Sequence, residues 1–192
     1  NPRRAPAILI VGRVVSLREH LRWYDARPLS GRRVLVTRPR EQAADLVDHL
    51  TALGADAVES PMIRIAPPDD DGPLREAAAD AAAFDWIVFT SVNAVEAFMT
   101  ALLDGDRDIR ALKGPRLCTV GPGTAQKLAQ YGIKVDVLPA EFRAEAVVSA
   151  IAERGALAGA RVLLPRADIG DGMIAHQLVA AGTIVTDVVA YR

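Results

Sequence analysis

Short runs of β-branched and aliphatic residues alternate along the chain with stretches in which apolar positions recur every three or four residues. The strand-like runs cover residues 7–11, 34–37, 57–65, 86–90, 117–120, 135–138, 162–164 and 184–191. Helical spacing covers 41–53, where Leu46, Val47 and Leu50 share a face, and 93–103, 124–130, 144–153 and 172–180. Gly54, Gly132, Gly155 and Gly182 stand where helices should stop. Strands joined by single helices pair in parallel through right-handed crossovers. The pattern therefore predicts an α/β fold of flavodoxin-like or Rossmann-like type.

A displacement of 128 positions superposes part of the pattern on itself without a gap. Arg33, Val34, Leu35 and Arg38 fall on Arg161, Val162, Leu163 and Arg166; Leu50, Ala52 and Gly54 fall on Leu178, Ala180 and Gly182; Arg64 falls on Arg192. Each copy reads as strand, Arg-bearing loop, helix closed by glycine, and second strand. Two similar domains are expected. Residues 66–73, with Pro67, Pro68 and the triplet Asp69, Asp70 and Asp71, read as a solvated connection between them. The first copy alone is too small for a stable domain, so the strands completing its sheet are expected beyond Arg192.

Composition narrows the possibilities. A hydrophobic fraction of 51% and a charged fraction of 24% describe a globular chain and exclude disorder. No apolar run approaches the roughly 20 residues of a membrane span, and Arg13 interrupts the first run too early for a secretory signal. The net charge of −1 gives no overall field to recruit nucleic acid or an anionic membrane, so any anion site must be local. A single cysteine, Cys118, excludes an internal disulfide and fits a cytosolic setting.

Three strand-end loops carry the candidate chemistry: Thr90, Ser91 and Asn93; Gly121, Gly123 and Thr124; and Pro165 with Arg166. Ligands of open parallel sheets gather at such carboxyl ends. Ser91 or Asn93 can cap the following helix, leaving backbone N–H groups and the helix dipole to receive an anion. The 121–124 glycines satisfy neither nucleotide motif, because no Lys follows Gly123 and Gln126 stands where a dinucleotide fingerprint needs glycine. Arg38 and Arg166, equivalent in the repeat, suit a polyanion held between domains. His20, His49 and His176 have no partner at ligand spacing, so no metal site is read, and no hydrolase elbow occurs. Tyr191, at a strand end, is a phenol that either packs or donates a proton.

These residues together resemble the uroporphyrinogen-III synthase family: Arg33-Val-Leu-Val-Thr-Arg-Pro39, Phe89-Thr-Ser-Val-Asn-Ala-Val95, Val120-Gly-Pro-Gly-Thr-Ala125, and Leu164-Pro-Arg166 followed by Val188-Val-Ala-Tyr191. Residues 6–23 resemble the closing segment of uroporphyrinogen-III C-methyltransferase, which implies a piece of a fused enzyme. The resemblance implies two α/β domains joined by a two-strand ladder, residues 62–65 beside 188–191. It places a methyltransferase tail and linker at 1–28, half of the first synthase domain at 29–66, and the second domain with its return strand at 67–192. It implies a monomeric, cytoplasmic, cofactor-free synthase unit that cyclises hydroxymethylbilane with loss of water and inversion of the last pyrrole ring through a spiro intermediate. Arg38, Thr90, Ser91, Asn93, Gly121, Gly123, Thr124, Pro165 and Arg166 would hold the substrate's carboxylates, and Tyr191 would act as general acid. With its first domain incomplete, this chain is expected to make little type III isomer beside its parent. A noncatalytic α/β module that binds anions or tetrapyrroles is the competing reading, distinguished by binding without isomer turnover.

Overall fold

The two copies of the repeated pattern fold into the same local structure. The computed structural model describes residues 8–23, 25–104, 107–170 and 172–192. The chain divides into one unit ending at Arg64 and another running Ile65–Arg192.

In the first unit a 3-10 turn (Arg13–Leu17) leads into the short α1 (Arg18–Leu21). Then come β1 (Arg33–Val36), α2 (Ala44–Ala52) and β2 (Asp56–Glu59), with β1 and β2 parallel and Arg33 opposite Asp56. The first expected strand, 7–11, does not form over its described residues 8–11, and Ala7 lies outside them. Ile8, Leu9 and Val11 are exposed there, and among the described residues no neighbouring strand takes up their backbone groups. The expected strand 57–65 shrinks to β2: the Ser60 N–H still bonds the Val36 carbonyl, but Pro61 has no N–H to continue the ladder. The first sheet has two strands among the described residues.

The second unit contains α3 (Gly72–Ala79), β3 (Trp86–Phe89), α4 (Val92–Leu103), β4 (Arg116–Thr119), α5 (Pro122–Gln130), α6 (Ala144–Ala152), β5 (Arg161–Ala167), α7 (Met173–Ala180) and β6 (Ile184–Tyr191). Its strands form one parallel sheet in the order β4-β3-β5-β6. Every residue of β3 is buried, because helices cover both faces. Ile87, Phe89, Leu117, Leu163 and Val188 pack with residues of α3, α4 and α5. Trp86, Val88, Cys118, Val162 and Leu164 alternate to the other face, with Val147 and Ile151 of α6 and Leu178 of α7. Arg161 lies opposite Ile184, both 128 positions beyond the Arg33 and Asp56 pair, so the repeat keeps its register. Gly54 and Gly182 close the equivalent helices at φ 95° and 85°, a conformation that favours glycine.

Three expectations need correction here. The connection 66–73 ends inside a helix: Pro73 occupies the first turn of α3, where its missing N–H costs nothing, and Leu74, Ala77 and Ala78 supply a buried stripe. The expected strand 135–138 is a single bridge from Val137 to Cys118, cut off by Pro139. The two-strand ladder over 62–65 does not form; instead Ala66 and Arg192 exchange backbone hydrogen bonds of 2.8 and 2.9 Å. Pro67 follows at once and prevents the pairing from extending. The aspartate triplet has separate partners: Asp69 pairs with Arg192, Asp70 accepts the Gly72 N–H, and Asp71 pairs with Arg75.

Candidate active site at the carboxyl end of the second sheet

β3 and β4 stay paired to their last residues, Phe89 opposite Thr119, and the Val120 N–H donates to the Phe89 carbonyl at 3.1 Å. The loops that follow, and with them the amino ends of α4 and α5, are therefore set side by side. Ser91 caps α4, its Oγ accepting the Ala94 N–H at 3.1 Å. α5 begins from Gly121 with Pro122 in its first turn. Neither helix has an acidic residue in its first turn, so two neighbouring positive dipole ends stand without a carboxylate from their own first turns.

The glycines of this end are not demanded by the fold. Gly121 has φ −140° and ψ 163°, open to any residue. A Cβ there would meet only Phe142 at 4.0 Å, and one on Gly123 would meet nothing within 4 Å. A side chain at either position would instead obstruct a group approaching from outside. Thr90, Ser91 and Asn93 are half-buried at the same end, and Asn93 is already engaged by a partner. Thr124 is buried, so its side chain is not presented to solvent and an approaching ligand would meet Gly123 first.

Pro165 and Arg166 lie within β5 rather than in a loop beyond it. The Arg161 N–H and carbonyl both face Asp85, at 2.7 and 2.9 Å, so by alternation the Pro165 nitrogen faces the same side. β3 pairs with β5 only through Leu163, and a residue without N–H is tolerated where that pairing has ended. β3 and β5 thus diverge at their carboxyl ends, at the point where the chain's crossovers reverse direction. Arg166 is not a free cation: its Nε donates to Asp187 Oδ1 and Oδ2 at 2.7 and 2.9 Å, and Nη1 to the carbonyls of Ala167 and Asp168. Arg38 belongs to the first unit, where its Nη2 reaches Gln42 Oε1 at 3.4 Å.

Tyr191, the end of β6, brings its hydroxyl within 3.0 Å of Ser91 Oγ. The phenol also lines a cavity of about 420 Å³ whose walls include Ile65, Pro67, Leu74, Ala97 and Asn93. Asp71, Arg75 and Glu96 stand among its polar lining. The sequence-selected residues of the second unit thus gather at one end of one sheet, and Tyr191 and Ser91 touch.

Several polar residues here escape a motif reading. Asp187 holds Arg166, and its signal was an aspartate inside a β-branched run, a residue type depleted in strands. Opposite Leu164, it is a diagonal cross-strand neighbour of Arg166. Thr119, fully buried at the end of β4, has a hydroxyl without a hydrogen-bond partner. Cys118 beside it is inert: burial pushes its thiol up to about 12.

The sequence model of the uroporphyrinogen-III synthase HemD family matches residues 44–192. A uroporphyrinogen-III synthase of Synechococcus elongatus is 38% identical over 167 residues, which make up 86% of this chain and 62% of that protein. The porphyrin biosynthesis protein HemD of Ruminiclostridium josui is 37% identical over 151 residues, 79% of this chain and 30% of its own. A uroporphyrinogen-III C-methyltransferase of Bacillus subtilis is 31% identical over 144 residues, 29% of its length. The crystal structure of a mutant uroporphyrinogen III synthase from Thermus thermophilus shares the fold, with TM-score 0.60 at 16% identity, over 84% of this chain and 62% of that one. The chain therefore spans less than two thirds of the length of these relatives. Matched through both copies of its repeat's second strand and through every loop at the carboxyl end of the larger sheet, it belongs to the uroporphyrinogen-III synthase HemD family.

Proposed function

We propose that the chain takes part in cyclising hydroxymethylbilane to uroporphyrinogen III, binding the substrate at the carboxyl end of the second sheet. The observation that carries this reading is the 3.0 Å contact between Tyr191 and Ser91, which sets a phenol from β6 beside the amino end of α4. The substrate's acetate and propionate groups meet the acid-free first turns of α4 and α5, with Thr90, Ser91, Asn93, Gly121 and Gly123 at the approach and Thr124 behind them. Pro165 shapes the divergence of β3 and β5, and Arg166, fixed by Asp187, contributes a positioned rather than a mobile charge. Arg38 is proposed as cationic support from the first unit.

Tyr191 gives its proton to the departing hydroxyl, so that the C–O bond breaks with its electron pair leaving on water. Binding geometry does the remaining work, because the substrate is intrinsically reactive and the outcome depends on which ring closure is held ready. We also read residues 1–28 as the tail of a methyltransferase-like domain and its linker, 29–66 as part of a first synthase domain, and 67–192 as the second. The exposure of Ile8, Leu9 and Val11 supports that tail assignment, since such residues normally pack against a parent domain. Among the described residues no helix is long and apolar enough to cross a membrane.

Chromatographic separation of type I and type III uroporphyrinogen, after freshly generated hydroxymethylbilane is supplied with and without the protein, tests the proposal. Spontaneous closure gives type I. A protein-dependent excess of type III is expected, small beside that of a full-length relative; an isomer ratio that never depends on the protein overturns the reading. Saturable tetrapyrrole binding with that unchanged ratio would favour a noncatalytic binding module.

A further inference from the structure

We propose that Ser91 is a positioning residue for Tyr191, donating its hydroxyl proton to the phenol oxygen and so leaving the phenol's own proton free to be transferred. The inference rests on the synthase reading for its use and on geometry for its existence. Ser91 Oγ already accepts the Ala94 N–H at 3.1 Å, and a serine hydroxyl has one proton to give. Tyr191 Oη lies 3.0 Å away, and among the described residues neither hydroxyl has another side-chain partner. The complementary arrangement is a chain, Ala94 N–H to Ser91 Oγ, then Ser91 O–H to Tyr191 Oη, with the phenol proton directed elsewhere. Each donor polarises the next, and both lead back to the amino end of α4.

The proton balance follows. When the substrate's C–O bond breaks, its oxygen leaves with the bonding pair and takes the Tyr191 proton as water. The phenolate left behind is held by the Ser91 O–H, and it recovers a proton from the pyrrole framework when ring closure releases one. Ser91 stays protonated throughout. Its part is to stabilise the charge on Tyr191, which a donor to the oxygen does and an acceptor does not.

The charged groups around Tyr191 are Asp71 just before α3, Arg75 on α3 and Glu96 on α4, with Arg192 next in the chain paired to Asp69. They are common to all variants of Ser91, so a difference among variants reports the hydroxyl. In a Tyr24→Phe, Tyr131→Phe background Tyr191 is the remaining tyrosine, and its ionisation can be followed by ultraviolet difference titration. Ser91→Ala is expected to raise the phenol's pKa by about half to one unit, the equivalent of one net hydrogen bond. Ser91→Thr, which keeps the hydroxyl, is expected to restore it. Ser91→Gly, which serves as a helix cap but supplies neither hydroxyl nor charge, should raise the pKa by the same amount even if Ser91→Ala unfolds the helix end. A pKa that is unchanged or lowered in Ser91→Gly overturns the proposal, whatever the fate of Ser91→Ala. The isomer assay distinguishes the two readings. The pKa effect with no type III from wild type sinks the synthase reading alone, whereas type III formation that is unaffected by Ser91→Ala sinks the positioning role alone.

Discussion

Phe98→Ala puts the attachment of α4 to the sheet under the most direct load. Phe98 and Phe89 are both fully buried, with ring centroids 5.4 Å apart and planes at 71°, an edge-to-face pair joining the middle of α4 to the last residue of β3. Truncating a phenylalanine in such a core costs about 3–5 kcal/mol, of which about 0.5–1.5 kcal/mol belongs to the aromatic pairing. Urea unfolding followed by Trp86 fluorescence, in a Trp23→Phe background so that only the second unit reports, measures the loss. Leu103→Ala, on the same helix but 42% exposed, is the contrast and should cost under about 1 kcal/mol. A double-mutant cycle with Phe89→Ala should show coupling of about 1 kcal/mol. A loss below about 1 kcal/mol for Phe98→Ala would show that α4, and therefore the Ser91 cap at its head, is not held on β3 through this pair.

Other consequences are narrower. Because burial keeps the Cys118 thiol neutral up to about 12, a thiol reagent at pH 8 should label it only through unfolding, at a rate that tracks global stability in urea; prompt labelling of the folded chain would contradict its burial. Gly182→Ala should cost about 1–2 kcal/mol from its left-handed backbone alone. Gly54→Ala should cost more on thermal unfolding, because its Cβ would lie 2.9 Å from Arg27 Cβ, whereas at Gly182 the nearest atom is 3.5 Å away. Asp187→Ala removes the counter-charge from Arg166, which is 23% exposed at its side chain, and should destabilise the second unit by about 1–3 kcal/mol in a urea titration. An unchanged midpoint would show the pair to be energetically idle.

The α/β class and the repeat were legible because period and register are local: β1 and β5 each start one residue before their apolar runs, and glycine closes both equivalent helices. What failed was set by partners. Residues 8–11 have the composition of a strand, but among the described residues no neighbouring strand bonds them. α3 was hidden by the two prolines and three aspartates before it, although Leu74, Ala77 and Ala78 already had helical spacing. Pro165 read as a loop residue, since sequence does not reveal that β3 departs two residues earlier and leaves that side of β5 open. At the site, loop residues announced themselves by type and position. The meeting of Tyr191 and Ser91, a hundred residues apart, needed the strand order, and the occupation of Arg166 by Asp187 needed the register.

A substrate that approaches the amino ends of α4 and α5 from outside must pass Gly123, and Gly123→Ala isolates that approach. In the first turn of a helix with open space around its Cβ, alanine should leave stability equal or raise it by about 0.5–1 kcal/mol. The predicted result is a chain at least as stable in urea whose protein-dependent excess of type III uroporphyrinogen falls severalfold. Undiminished type III formation by Gly123→Ala would place the substrate elsewhere.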